Sequence, residues 1–243
     1  MDTSSTGISA VDRPNRRSPP DPKPFESSDL PAVVRWNFRG QCPSLLLEWG
    51  SRRQESVIPM DLGLKVVRGP MADASEFGIA FEVAADVFDD FEITLEFRDF
   101  KSIPTCADWR VPRVDISGQI FSATEPEKRI HVLGINHRRD IDGTLKVLAV
   151  QGDNAAASDL RYRSKTMPVE RDSGRLRLVR QGGMMFYQAS PLEAEHWSTI
   201  DCHPVDRGPF KSIVVGLRAD DLDGSGEAIL TGVAIRARGI HPR

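Results

Sequence analysis

Glu92 and Glu96 lie in the segment FEITLEF (91–97), and a pair of carboxylates is the first thing glycosidic hydrolysis needs. Side chains alternate along a strand, so both acids share one face with Thr94 between them. Four residues of extended chain separate them by about 13 Å, far beyond the roughly 5–5.5 Å used for hydrolysis with retention. They therefore read as a solvated strand face. A second acidic stretch, ADDLDGSGEAIL (219–230), sets Asp221, Asp223, Ser225 and Glu227 at alternate positions around Gly224 and Gly226. Oxygen ligands at that spacing suit a calcium loop, which makes calcium the one candidate cofactor. Neither EF-hand register closes with an acid: the last ligand position falls on Gly232 or on Leu230. A tight Asp/Gly turn explains the same residues.

Two further groups could bind a ligand. Trp109 and Arg110 sit in CADWRVPRVD (106–115), a polar run with Asp108 and Arg113. A tryptophan beside arginine and aspartate can stack on a sugar ring and hydrogen-bond its hydroxyls. In GRLRLVRQGGMMFYQAS (174–190), Gly182-Gly183 predicts a two-residue hairpin turn. That turn pairs Arg180 with Met185, Val179 with Phe186, Leu178 with Tyr187 and Arg177 with Gln188. One face collects Leu176, Leu178, Met185, Tyr187 and Ala189, and belongs in a core. The other collects Arg175, Arg177, Val179, Phe186 and Gln188, and is expected to meet solvent or a shallow groove. Burying unpaired guanidinium groups would cost more than exposing Val179 and Phe186. Arg175, Arg177 and Gln188 are thus candidate contacts for an acidic or sugar ligand. An ordinary half-buried hairpin is the plainer reading.

No metal catalyst is indicated by the histidines. His131 and His137 share a strand face but stand six apart, His196 and His203 flank WSTIDC, and there is no HxH or HExxH. The chain also lacks GxSxG and a phosphate-binding glycine loop.

The elements that must position these residues are strands. Apolar alternation marks GLKVVRG (63–69), FGIAFEV (77–83), FEITLEF after an Asp89-Asp90 turn, and ISGQIFS (116–122). RIHVLGINH (129–137) and TLKVLAVQ (144–151) flank Asp142-Gly143 as a second hairpin. LRYRSK (160–165) follows, and FKSIVVGLR (210–218) and EAILTGVAIRAR (227–238) come last, with Gly232 as a bulge. Only PLEAEH (191–196) could form a turn or two of helix. So many strands without a long helix imply an all-β sandwich or barrel. Residues 1–31 are rich in Pro, Ser and charge, and read as a disordered tail before a domain spanning 32–243.

At 243 residues with 40% hydrophobic content, a full core can form. The net charge of −3 argues against nucleic acid as a partner. No apolar run is long enough for a membrane span, and the N-terminus shows no export signal. Cys42, Cys106 and Cys202 are odd in number and lack metal spacing, which fits thiols in a reducing compartment such as the cytoplasm.

Taken in order, GLKV, FGIAFEVAADVFDDFEITLEF, GRLRLVRQGGMMFYQASPLEAEHWSTI, SIVVGLRA and GVAIRA resemble the concanavalin A-like lectin/glucanase superfamily over roughly residues 60–240. The third stretch is similar to the "lRl.R.g…Y.s…W" run of laminin-G-like domains, and more narrowly the chain resembles an uncharacterised domain family abundant in planctomycete bacteria. The resemblance implies a jelly-roll β-sandwich of two antiparallel sheets. Lectins, hydrolases and inert adhesion modules share that fold. Glucanases of the superfamily often carry ExDxxE on one strand; here Thr94 occupies the central position, so the pattern is absent. Trp197 matches the family tryptophan, which implies a packing role. The expected function is a non-catalytic binding or interaction module, with a carbohydrate or another protein as partner. A sugar hydrolase with acids drawn from separate strands and a structural accessory domain are the alternatives.

Overall fold

In the computed structural model, residues 30–49, 57–69, 78–105, 111–124, 130–154, 161–219 and 224–243 are described. Residues 1–29 of the predicted tail, Trp109, Arg110, Asp221 and Asp223 lie outside them. Every described element is a strand: β1 (Ala32–Trp36), β2 (Leu46–Trp49), β3 (Val57–Met60), β4 (Gly63–Arg68), β5 (Gly78–Val83), β6 (Ala85–Ile103), β7 (Arg113–Phe121), β8 (Ile130–Arg139), β9 (Leu145–Asn154), β10 (Arg161–Pro168), β11 (Gly174–Gln181), β12 (Met184–Ser190), β13 (Ser198–Pro204), β14 (Phe210–Arg218) and β15 (Ser225–Pro242).

All pairings are antiparallel, and they define two layers. The first runs β2-β5-β14-β7-β8-β9-β10. The second runs β13-β12-β11-β6-β15, with β1 and the β4-β3 hairpin sharing the far edge of β15. The layers join where Phe210 of β14 meets Val87 of β6, so one hydrogen-bond network links all the strands. This is the predicted jelly-roll β-sandwich. Its core is the two inner faces: Phe91, Ile93, Leu95, Phe97, Leu176, Leu178, Met185 and Tyr187 from the second layer meet Val114, Ile116, Leu133, Ile135, Val215 and Leu217 from the first. FEITLEF lies on β6 with all four alternating apolar residues buried, as its pattern predicts.

The hairpin register follows the prediction pair for pair, and Gly182 and Gly183 both take positive φ, as the turn requires. Gly232 marks a register shift in β15, as expected of a bulge. Other expectations fail. Asp89-Asp90 does not end a strand. Asp89 adopts a left-handed φ of 56° opposite another register shift in β15, so β6 bends and continues. PLEAEH forms turns and no helix, and the strand that follows it, β13, has weak apolar alternation and was not predicted. Val57–Met60, absent from the expected strands, pairs with β4 as an edge strand, where Pro59 is tolerated. Leu30, assigned by composition to the tail, is buried, and the Pro31 carbonyl accepts the Ala237 N–H at 3.2 Å.

Arg180 lies on the core side of β11 and is fully buried. Its Nε and Nη1 donate to the Asp89 and Gly208 carbonyls at 2.5 Å each, and its guanidinium lies 5.0 Å from the Phe91 ring centroid. Burial pulls its pKa down to about 10, against the opposing pull of Asp89, Asp90 and Asp206. Those partners are what allow a guanidinium in the interior.

Candidate functional site

The arginine face of the hairpin is not open. Arg177 and Gln188 are only 6% and 1% exposed, and Val179 and Phe186 are buried with them. Register places Thr94, Arg177, Gln188 and Thr199 in one row across β6, β11, β12 and β13. Arg177 Nε donates to Gln188 Oε1 at 2.8 Å, and Gln188 Nε2 donates to Thr199 Oγ1 at 3.0 Å. Glu92 lies 3.5 Å from Arg177 Nη1 and accepts from Thr94 Oγ1 at 3.3 Å. The Trp197 ring covers both arginines, 4.8 Å from Arg175 and 4.6 Å from Arg177. Arg175 donates to Ser190 Oγ at 2.9 Å and to the Ala194 carbonyl.

Two expectations are thereby corrected. Glu92 is buried rather than solvated, although Glu96 keeps partial exposure. Arg177 and Gln188 face a covered polar row rather than solvent. The desolvation argument assumed unpaired guanidinium groups, and long-range pairing removes that premise. Arg177→Ser is accordingly expected to cost about 2–3 kcal/mol, since it strands Glu92 and Gln188 in a buried row. Urea unfolding checks it, and a change under about 0.5 kcal/mol, the surface range, would contradict the pairing. Trp197 has the packing role that the resemblance implies.

Of the calcium candidates, Ser225 begins β15 and Glu227 lies two residues on. The Glu227 carboxylate is held by Lys65 at 2.9 Å and Lys101 at 2.7 Å, and those hydrogen bonds keep its pKa low. A cation there would have to displace two ammonium groups. Among the described residues no cluster of three His, Cys, Asp or Glu side chains is placed to hold a metal.

The outer face of the first layer gathers the most polar groups. Alternation turns Val114, Ile116, Ile135, Val147 and Leu217 inward, so Arg113, Asp115, Asn136, Arg138, Lys146 and Arg218 point the other way. Register sets Arg218, Arg113, Arg138 and Lys146 side by side across β14, β7, β8 and β9, with Asp115 opposite Asn136 in the next row. Asp115 Oδ2 lies 3.4 Å from Arg218 Nη1 and 3.7 Å from Arg113 Nε. Arg218 Nη1 also donates to Ser117 Oγ at 2.9 Å. Asp140 pairs with Arg138 Nε at 3.1 Å and with Lys146. Among the described residues, this face thus carries Arg113, Arg138, Arg218 and Lys146 together with Asp115 and Asp140. Asn136 is 6% exposed, and its Oδ1 is buried without a hydrogen bond.

Arg113 and Arg138 are nearly as buried as Arg177, whereas Arg218 and Lys146 keep partial exposure and can present donors to carboxylate or sulfate oxygens, and Asn136 offers an acceptor for a hydroxyl. Among the described residues the two acids of this face are far apart: Asp115 faces Asn136, and Asp140 lies four residues beyond that, about 13 Å along the strand. Sequence reasoning named only Arg113 from this group, as a neighbour of Trp109. The legible signal was the alternation of Arg113, Asp115, Ser117 and Gln119. The convergence of β8, β9 and β14 beside them was not legible. Trp109 and Arg110 precede Arg113 by four and three residues in the chain, and Asp221 follows Arg218 by three.

A family model described as "Protein of unknown function (DUF1583) C domain" matches residues 20–243. The chain belongs to this family. No curated protein matches it. Among solved structures, it is similar to an immunostimulatory antigen and pseudo beta-1,3-glucanase of Mycobacterium tuberculosis, with TM-score 0.56 and 11% identity over 86% of this chain and 99% of that one. The CBM2 module of the evolved Dit of Lactobacillus casei BL23 phage J-1 gives TM-score 0.51 and 8% identity over 84% and 94%. The alginate lyase from Klebsiella pneumoniae gives TM-score 0.50 and 11% identity over 76% and 85%. At such identities the likeness is one of fold alone, the jelly-roll β-sandwich.

Proposed function

We propose that this DUF1583 domain is a non-catalytic carbohydrate-binding module whose ligand is an acidic saccharide, bound on the outer face of the first layer. The observation that carries this reading is the row of Arg218, Arg113, Arg138 and Lys146 across four strands, next to the unsatisfied Asn136 Oδ1. Arg218, oriented by Asp115, and Lys146 keep partial exposure and would meet carboxylate or sulfate groups; Asn136 would take a ring hydroxyl. Trp109 and Arg110, which precede Arg113 in the chain, are proposed as further ligand contacts. The alginate lyase and the pseudo beta-1,3-glucanase lend support as neighbours in fold named for saccharides. Among the described residues, the spacing of Asp115 and Asp140 supports binding over hydrolysis.

Affinity electrophoresis through gels containing alginate or a neutral β-glucan tests the proposal. Alginate is expected to retard the wild-type protein and the neutral glucan to leave it unaffected, with retardation falling as salt rises. Arg218→Ser and Asn136→Ala are each expected to weaken binding about tenfold or more, as for loss of a charge-assisted or buried hydrogen bond. No retardation by any acidic polysaccharide, or equal retardation of wild type and both variants, would overturn it. Release of reducing ends from alginate or glucan would replace binding with catalysis.

A further inference from the structure

Between the layers, at the end where β8, β9 and β10 meet β6, β11 and β12, lies a cavity of about 250 Å³. It is separate from the arginine row, which faces away from the core. Phe97, Val147, Met167, Leu176 and Ala189 supply apolar wall, and His137 lines the same space. His137 is 3% exposed, with its ring 4.9 Å from Phe97 and 5.3 Å from Phe100. Its Nε2 is buried and makes no hydrogen bond. A buried polar atom without a partner costs free energy unless something in the cavity meets it. Of the serines that also line it, Ser173 donates to Asp172 and Ser190 to the Pro191 and His196 carbonyls.

The mouth restricts what can enter. Arg171 is paired with Glu193 at 2.6 Å, Glu170 lies beside it, and Arg175 is held by Ser190 and Trp197. The rim therefore has no uncommitted cation to hold an anion. An apolar cavity of about 150 Å³ suffices for benzene, so the volume here suits one ring with a substituent. From this geometry we propose that the inter-sheet cavity is a binding site for a small, uncharged, single-ring molecule bearing a hydroxyl group. The ring lies against Phe97, Met167 and Leu176, and the hydroxyl bonds His137 Nε2. The imidazole, held neutral at pH 7 by its burial, can either donate to the hydroxyl or accept from it.

Phenol and toluene are the probes, added to the full-length chain at pH 7 while the imidazole ¹⁵N resonances of His137 are followed by NMR. Phenol is expected to shift them saturably, with an affinity about tenfold above that of toluene, the worth of one buried hydrogen bond. His137→Phe should abolish the preference for phenol, and Ala189→Leu, which fills the cavity, should abolish binding of both. If phenol leaves the His137 resonances of the wild-type protein unmoved into the low millimolar range, the cavity holds water alone and the proposal fails. Equal affinity for phenol and toluene would overturn the role of His137. Neither result touches alginate binding, which uses the opposite side of the first layer.

Discussion

Phe91→Ala is expected to lower the unfolding free energy by about 3–5 kcal/mol, the largest effect of any single change considered. Phe91 is wholly buried at the middle of β6. Its ring stacks on Phe210 at 4.9 Å and 1° between planes, close to where β14 and β6 join the two layers. Its other side supports the Arg180 guanidinium at 5.0 Å. The substitution thus opens a cavity between the sheets and takes the stacking partner from a buried cation. Relaxation cannot fill the space, because Phe210 is anchored in a strand and Arg180 is tied to two carbonyls. Ile103→Ala, at an exposed position at the end of the same strand, is the control and should change stability by less than about 0.5 kcal/mol. Urea unfolding of both variants measures the contrast. A Phe91→Ala protein within about 1 kcal/mol of wild type would contradict the stacked arrangement.

Acid is expected to destabilise the fold well above the pH at which ordinary carboxylates titrate. Burial pushes His137 from 6.5 down to about 4, with Asp172 pulling it up and Arg139 reinforcing the fall. His203 is likewise pushed to about 4 by burial, opposed by Asp201 and reinforced by His131, Arg163 and Lys165. The unfolded chain therefore binds protons at these sites at a higher pH than the folded one. Their stabilising contribution is complete above about pH 6.5, declines as pH falls toward 4, and changes little below that. For His137 the difference corresponds to roughly 3 kcal/mol; His203, in a wetter setting beside Asp201, adds less. Urea midpoints at pH 7, 5.5 and 4.5 should fall steadily, and His137→Phe should flatten the slope. A profile level from pH 7 to 4.5 in the wild-type protein would show that these imidazoles are hydrated.

The strands were legible because their apolar alternation reports burial on one face. FEITLEF is the clearest case, and the hairpin around Gly182-Gly183 was readable down to its register because a two-residue turn leaves no other pairing. β13 and Val57–Met60 escaped notice because their side chains carry little alternation, and pairing with a neighbour makes them strands. The fate of Arg177 was not readable. Its partner Gln188 was, through the hairpin, but Glu92 and Thr199 come from strands whose neighbours local sequence does not specify.

What the sequence by itself determined is the all-β class, the jelly-roll likeness, the inward face of each long strand and the hairpin register. These rest on period-two burial and turn chemistry, which act over a few residues. Tertiary structure alone decided which polar side chains would meet. It buried Arg177 under Trp197, gave Glu227 to two lysines, placed Arg180 on buried carbonyls, and drew Arg113, Arg138 and Arg218 from three strands into one row. The physical reason is that a polar group's state depends on its partners, and in an antiparallel sandwich those come from strands far apart in the chain.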